Sequence, residues 1–170
     1  MGKFKAIAFD CFGTLFDTTA IPREDVADYV RHVRKEQFSP YTFPLAWYGL
    51  KTHPDSPEGI RLLQAAGFLC VALSNGTKSL IQKIAEQNGI TFDRIIDLTS
   101  HGVYKPHKLA YLTVQAETGI KPEETLMVTA NPTFGDVEGA AAVGMAAQVI
   151  RHGYPNTVIE LAEKLGGTNG

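Results

Sequence analysis

Short apolar runs that alternate with helical patterns limit what this chain can fold into more than any other feature. The runs span residues 5–9, 68–73, 94–98 and 125–129, with a fifth at 146–150. They are continuous rather than alternating in hydrophobicity, as in strands buried on both faces. Helical patterns fill the gaps at 57–66, 77–88, 106–118, 136–143 and 156–165. The first four stop at Gly67, Gly89, Gly119 and Gly144, and glycine past the last turn is a common helix stop. In the third helix, an apolar stripe of Leu109, Leu112 and Ala116 is predicted to face the sheet. Such alternation predicts βα crossovers and a mostly parallel sheet covered on both faces. A length of 170 residues predicts a single domain over 1–170, with 166–170 read as a disordered tail.

Residues 18–52 break the alternation. A charged helical stretch at 22–37 carries Arg23, Arg31, Arg34 and Lys35, and Phe38, Tyr41, Phe43, Trp47 and Tyr48 follow among prolines. This segment reads as a short insert leaving the top of the first strand. There it would overhang the carboxyl edge of the sheet, where ligands bind in such folds. Its aromatics would pack on the core or form an exposed patch for a homodimer.

Composition excludes several classes of function. A formal charge of −2, from 16 basic and 18 acidic residues, favours neither nucleic acid nor a membrane surface. The small-residue stretch at 139–150 is too short to span a bilayer. The opening residues hold no signal-peptide core, so a cytoplasmic protein is expected. Cys11 and Cys70, both in strand contexts, read as buried free thiols of a reducing compartment. The histidines at 32, 53, 101, 107 and 152 show no metal-ligand spacing. No Gly-x-Gly-x-x-Gly follows the first strand and no serine elbow is present.

The strand tips carry the chemistry. Asp10 and Thr14 follow the first strand, Ser74-Asn75-Gly76 the second, Lys105 the third, and Asn131 and Asp136 the fourth. Taken singly, Ser74, Asn75 or Asp136 could cap helices and Lys105 could be a solvated loop residue. Together they bring two acids, a lysine and a hydroxyl-amide turn to one sheet edge. A carboxylate there is costly unless satisfied. A lysine at about 4 Å contributes roughly 4 kcal/mol at an effective dielectric near 20.

Four ordered stretches, Asp10-Cys11-Phe12-Gly13-Thr14-Leu15, Leu73-Ser74-Asn75-Gly76, Tyr104-Lys105-Pro106 and Asp136-Val137-Glu138-Gly139-Ala140, resemble the motifs of the haloacid dehalogenase (HAD) superfamily. The resemblance implies a Rossmann-like three-layer α/β/α fold with a helical cap after the first strand. It also implies Asp10 as a covalent nucleophile, oriented by Thr14 and charge-balanced by Lys105. Ser74, Asn75, Gly76, Cys11 and Phe12 are expected to contact a small anionic substrate. The N–H groups of the Ser74 turn would form an anion site where they open a helix.

The position two after Asp10 decides between chemistries. Phosphatases of the superfamily place there an acid that protonates the leaving alkoxide; here it is Phe12, and losing general acid catalysis costs ~10²–10⁴ in rate. A halide needs no proton. The 2-haloacid dehalogenase branch is therefore the nearer resemblance, implying no cofactor and roles for Tyr111 and Asn131. Asp136 would serve as base, halide would leave near Asn131, and Arg34 would receive halide or carboxylate, with Arg31 and Arg23 as competitors. The insert is shorter than that branch's cap, and the Asn131-to-Asp136 spacing is phosphatase-like. The alternatives are an Mg²⁺ phosphatase, its metal held by Asp10, the Phe12 carbonyl and Asp136, and a silent anion-binding module.

Overall fold

The structure, a computed structural model, describes residues 3–35, 39–152 and 157–169. Five strands form one parallel sheet: β1 (Ala6–Phe9), β4 (Leu69–Ser74), β5 (Arg94–Asp97), β6 (Thr125–Thr129) and β7 (Ala146–Val149). Two further strands, β2 (Phe16–Asp17) and β3 (Lys51–Thr52), pair antiparallel as a separate ribbon. The helices are α1 (Arg23–Arg34), α2 (Ser56–Ala65), α3 (Lys78–Gln87), α4 (Lys108–Thr118), α5 (Asp136–Ala141) and α6 (Val158–Asn169). The large sheet runs β5-β4-β1-β6-β7, so the first strand is central and the chain leaves it in opposite directions. That switch point is where an open α/β sheet has its crevice, and Asp10 sits directly above it.

Side-chain alternation in the strands feeds two cores, as the pleat requires. Ile7, Phe9, Cys70, Ala72, Leu126 and Val128 pack with α2, α3 and α6. Ala8, Val71, Leu73 and Met127 face the opposite way, onto α4 and α5. This double burial is why the strands read as unbroken apolar runs, and the three-layer expectation is met. Predicted strands and helices agree with the observed ones to within a few residues.

Three local expectations need correction. Helix α6 runs to Asn169, so residues 166–169 are helical rather than a disordered tail. The helix predicted over 22–37 ends at Arg34; Gln37, like Phe38, Asn156 and Gly170, lies outside the described residues. The buried face of α4 is Ala110, Tyr111, Thr113 and Val114, with Leu109 exposed, not the stripe of Leu109, Leu112 and Ala116.

The insert is closed at its base. The ribbon pairs Phe16 with Thr52 and Asp17 with Lys51, bringing entry and exit side by side. Asn88 at the end of α3 clamps the exit: its amide donates to the Leu50 carbonyl (3.0 Å) and its oxygen accepts from the Thr52 N–H (3.3 Å). Above the ribbon the aromatics turn inward. Trp47, 1% exposed, lies edge-on to Phe12 with centroids 5.1 Å apart and packs on Phe43 at 5.0 Å. Tyr41 packs in turn on Phe43 at 4.9 Å. Among the described residues Tyr41, Phe43 and Trp47 therefore pack inward and form no exposed patch.

Truncating Trp47 empties the centre of this cluster, and large-to-small changes at such sites cost about 3–5 kcal/mol. Trp47→Ala should lower the urea midpoint accordingly and speed proteolytic cleavage within the insert. Unchanged cleavage and midpoint would show that the insert does not depend on this packing.

Candidate active site

Asp10 follows β1 and keeps the strand's hydrogen bonding, its N–H donating to the Val128 carbonyl at 3.0 Å. Its two carboxylate oxygens are treated differently. Oδ2 accepts from the Thr14 hydroxyl (2.9 Å), the Asn131 amide (3.0 Å) and, at greater length, the Thr129 hydroxyl (3.4 Å). Oδ1 accepts from Lys105 Nζ at 3.0 Å. The second oxygen is thus fixed by three neutral donors, while the first faces a single cation.

Lys105 also reaches Asp136, at 3.3 Å. Its side chain is 6% exposed, against 14% for Asp10 and 3% for Asp136. Burial alone would lower the Lys105 pKa, but the two carboxylates outweigh burial and raise it above the ordinary lysine range. The ammonium is therefore charged throughout the physiological range. Its backbone is held at both polar groups by one side chain: the Asn75 oxygen accepts from Lys105 N–H (2.8 Å) and its amide donates to the Lys105 carbonyl (3.1 Å).

Tyr111 completes the acid–lysine pair from below. Its hydroxyl donates to Asp136 Oδ1 at 2.6 Å, and the side chain is fully buried. Burial first, then the Asp136 charge, push the phenol far above its usual pKa, so it is a permanent donor. This contact turns α4 and defeats the expected stripe. The ring fits because residue 139 is glycine: a Cβ there would stand 2.7 Å from Tyr111 Cζ and 2.8 Å from the Pro106 carbonyl.

Seven residues expected at the site, Asp10, Thr14, Ser74, Lys105, Tyr111, Asn131 and Asp136, converge. Thr14 also accepts from the Ala130 N–H at 2.8 Å, locking the loop after Asp10 to the end of β6. A cavity of about 770 Å³ opens above them, bordered by Asp10, Phe12, Ser74, Asn75, Lys105, Asn131 and Asp136 below and Arg34 on α1 above.

Other expectations fail. Cys11 faces the core, fully buried with its thiol toward the Phe9 carbonyl, because the chain turns over just past Asp10. Burial drives that thiol pKa well above normal. Gly76 is covered by Phe12, whose Cε2 would be 2.8 Å from a Cβ there, and its N–H is spent on Ser74 Oγ at 3.0 Å. Neither borders the cavity. Asn131 borders the cavity near which halide was expected to leave, with its amide donating to Phe12 O (2.9 Å) as well as to Asp10. Of the arginines, Arg31 pairs with Asp28 at 3.3 Å and Arg23 borders an outer groove, which leaves Arg34 at the cavity. Two further side chains reach the site: Thr129, through its hydroxyl to Asp10, and Tyr29, on the cavity wall. Tyr29 was detectable as part of Val26, Tyr29, Val30 and Val33, an apolar stripe in a charged helix.

The groups proposed for Mg²⁺ do not fit it. The ammonium of Lys105 stands between Asp10 and Asp136, and the Asn131 amide places donor hydrogens against both the Asp10 carboxylate and the Phe12 carbonyl. Among the described residues no cluster of three or more His, Cys, Asp or Glu side chains could hold a metal. No described helix is long and apolar enough to cross a membrane.

The family model for haloacid dehalogenase-like hydrolases matches residues 41–144, more than half of the chain. The chain belongs to that family. Haloacetate dehalogenase H-2 of Moraxella sp. is 34% identical over 108 residues, covering 62% of this chain and 47% of that protein. Phosphoglycolate phosphatase of Chromobacterium violaceum is 32% identical over 104 residues, covering 60% of this chain and 46% of its own. The chain thus spans about half the length of these curated relatives. In fold it is similar to the L-2-haloacid dehalogenase of Xanthobacter autotrophicus solved with chloropropionic acid covalently bound. That likeness has a TM-score of 0.73 at 23% identity over 96% of this chain and 83% of the other.

Replacing Lys105 with Met leaves two buried carboxylates without their shared cation, a loss of about 3–5 kcal/mol for a broken buried pair. A group whose pKa rises on folding contributes fully below its unfolded pKa, about 10.4 for lysine, and loses that contribution as pH climbs through the folded value. From neutral pH upward, the stability gap between wild type and Lys105→Met should therefore be constant up to about pH 10 and narrow above it. Urea titrations across pH check this; a gap that widens with pH would contradict it.

Proposed function

We propose that the protein hydrolyses the carbon–halogen bond of a small 2-halocarboxylate through an ester on Asp10. In the first step Oδ1, held by one donor against three for Oδ2, attacks the carbon bearing the halogen. A C–O bond forms, the C–X bond breaks, and the electron pair leaves with the halide. Lys105 keeps the nucleophile ionised, and the donors on Oδ2 fix its direction. In the second step water adds to the Asp10 carbonyl, giving up its proton to Asp136. The tetrahedral adduct then collapses as Asp136 returns that proton to the departing alkoxide, so the alcohol is released, and the Asp10 carboxyl gives its remaining proton to solvent to restore the carboxylate. Asp136 already accepts from Tyr111 and Lys105, but a carboxylate has further lone pairs for water. Ser74 at the floor of the cavity and Arg34 at its roof are the groups for substrate carboxylate and departing halide. The buried free thiols Cys11 and Cys70 suit a reducing cytoplasm.

The observation carrying this reading is Phe12. Above Asp10 the group nearest in sequence offers an aromatic ring and no proton, which an alkoxide leaving group requires and a halide does not. The chloropropionic acid bound covalently in the similar Xanthobacter structure agrees with it. Phosphoryl transfer is the second reading, favoured by the phosphatase relative and opposed by the poor fit of its metal.

Single turnover of excess enzyme on 2-bromopropionate in heavy-oxygen water should place the label in the Asp10 carboxylate, with one bromide released per molecule of substrate. Asp10→Asn should release none. Label in phosphate from a phosphomonoester, with dependence on Mg²⁺, would instead establish the phosphatase. Identical behaviour of wild type and Asp10→Asn with both substrates would leave a silent binding module.

A further inference from the structure

The cavity above Asp10 is too large and too apolar in its upper half for a haloacid of two or three carbons. Its volume of about 770 Å³ lies toward the upper end of the ~300–1,000 Å³ found for sites that enclose drug-sized ligands. Its floor is polar, but its roof is α1. None of the residues of α1 is fully buried, although Val26, Tyr29, Val30 and Val33 recur at the spacing of one helical face. Those four side chains are half-buried and all border the cavity, with Phe12 and Trp47 continuing the apolar wall. An amphipathic helix ordinarily lays this stripe on a core. Here Val26 and Tyr29 pack in part on the core, Tyr29 against Phe12, Phe43 and Trp47, and the face that the stripe leaves uncovered overlooks Asp10. Tyr29 adds no charge, because burial and the Asp10 carboxylate push its phenol well above the ordinary pKa.

The space does not end at α1. A second groove of about 690 Å³ shares Thr18, Val26, Val30, Arg34 and Phe134 with it, and Phe134 is 49% exposed there. The two spaces therefore adjoin along α1, with Val26, Val30 and Arg34 forming part of the wall of each.

We infer that the site takes 2-halocarboxylates with a medium-length alkyl substituent, the chain lying along the Val26, Tyr29, Val30 and Val33 face of α1. The inference rests on the dehalogenase reading above and specifies its substrate. The alkyl chain is chosen over a second protein because this face closes over Asp10 within one cavity, a space that a carbon chain can enter. Each methylene moved from water onto such a wall strengthens binding by about four-fold.

The test compares 2-bromooctanoate with 2-bromopropionate, measuring bromide release and heavy-oxygen labelling of Asp10. The full chain is used as wild type and with Val30→Trp or Val33→Phe, which fill the space from α1. Wild type should show kcat/KM at least ten-fold higher for the octanoate. Either variant, its folding checked by circular dichroism, should cut that ratio at least ten-fold, and the second is read if the first does not fold. A ratio of one or below, with Asp10 still labelled, overturns the inference and leaves the dehalogenase reading intact. A preference for octanoate that neither folded variant alters overturns the assignment to α1. Absence of both bromide and label with either acid removes the dehalogenase reading, and the inference falls with it.

Discussion

One ammonium group shared between two buried carboxylates organises the active end of this molecule. Lys105, Asp10 and Asp136 come from three separate strand-to-helix connections, so their contact can form only when the whole carboxyl edge is assembled. Each charge is expensive to bury alone. The arrangement persists because every member has further partners: Asn75 for the lysine backbone, Tyr111 for Asp136, and Thr14 with Asn131 for Asp10. Those supports explain residues that look unremarkable in isolation. Gly139 is small because Tyr111 needs the room, and Gly76 because Phe12 does.

The fold was readable wherever burial imposes a pattern. Strands buried on both faces leave continuous apolar runs, and helix ends leave glycines, so the sheet and its covering helices could be placed from residues alone. The acid, lysine and amide at the strand tips were readable for a related reason: a charge at the end of an apolar run is costly to bury and stands out.

What could not be read depends on contacts between distant segments. The rotation of α4 is set by one hydroxyl meeting Asp136, which helical periodicity within α4 does not encode. The inward turn of Tyr41, Phe43 and Trp47 is set by Phe12 on another segment. Cys11 and Gly76 lie beside Asp10 and Asn75 in sequence, yet the chain turns them away from the cavity within one residue. For Asn131, residue type named the site but not the task, because an amide can present either its oxygen to a cation or its hydrogens to anions. Here it does the latter, and so stands in for positive charge between the Asp10 carboxylate and the Phe12 carbonyl.

The two-residue ribbon at the base of the insert has a consequence for how such proteins diversify. Because Phe16–Thr52 and Asp17–Lys51 bring the two ends together, the sheet meets a single narrow stalk, whatever the stalk carries. Changes in the segment beyond it that spare Ile21, Phe43, Trp47 and Leu50, which belong to the core, alter the ceiling above the strand tips without moving the strands. The strand tips and the ceiling over them are in this way joined by a hinge-like base two residue pairs wide.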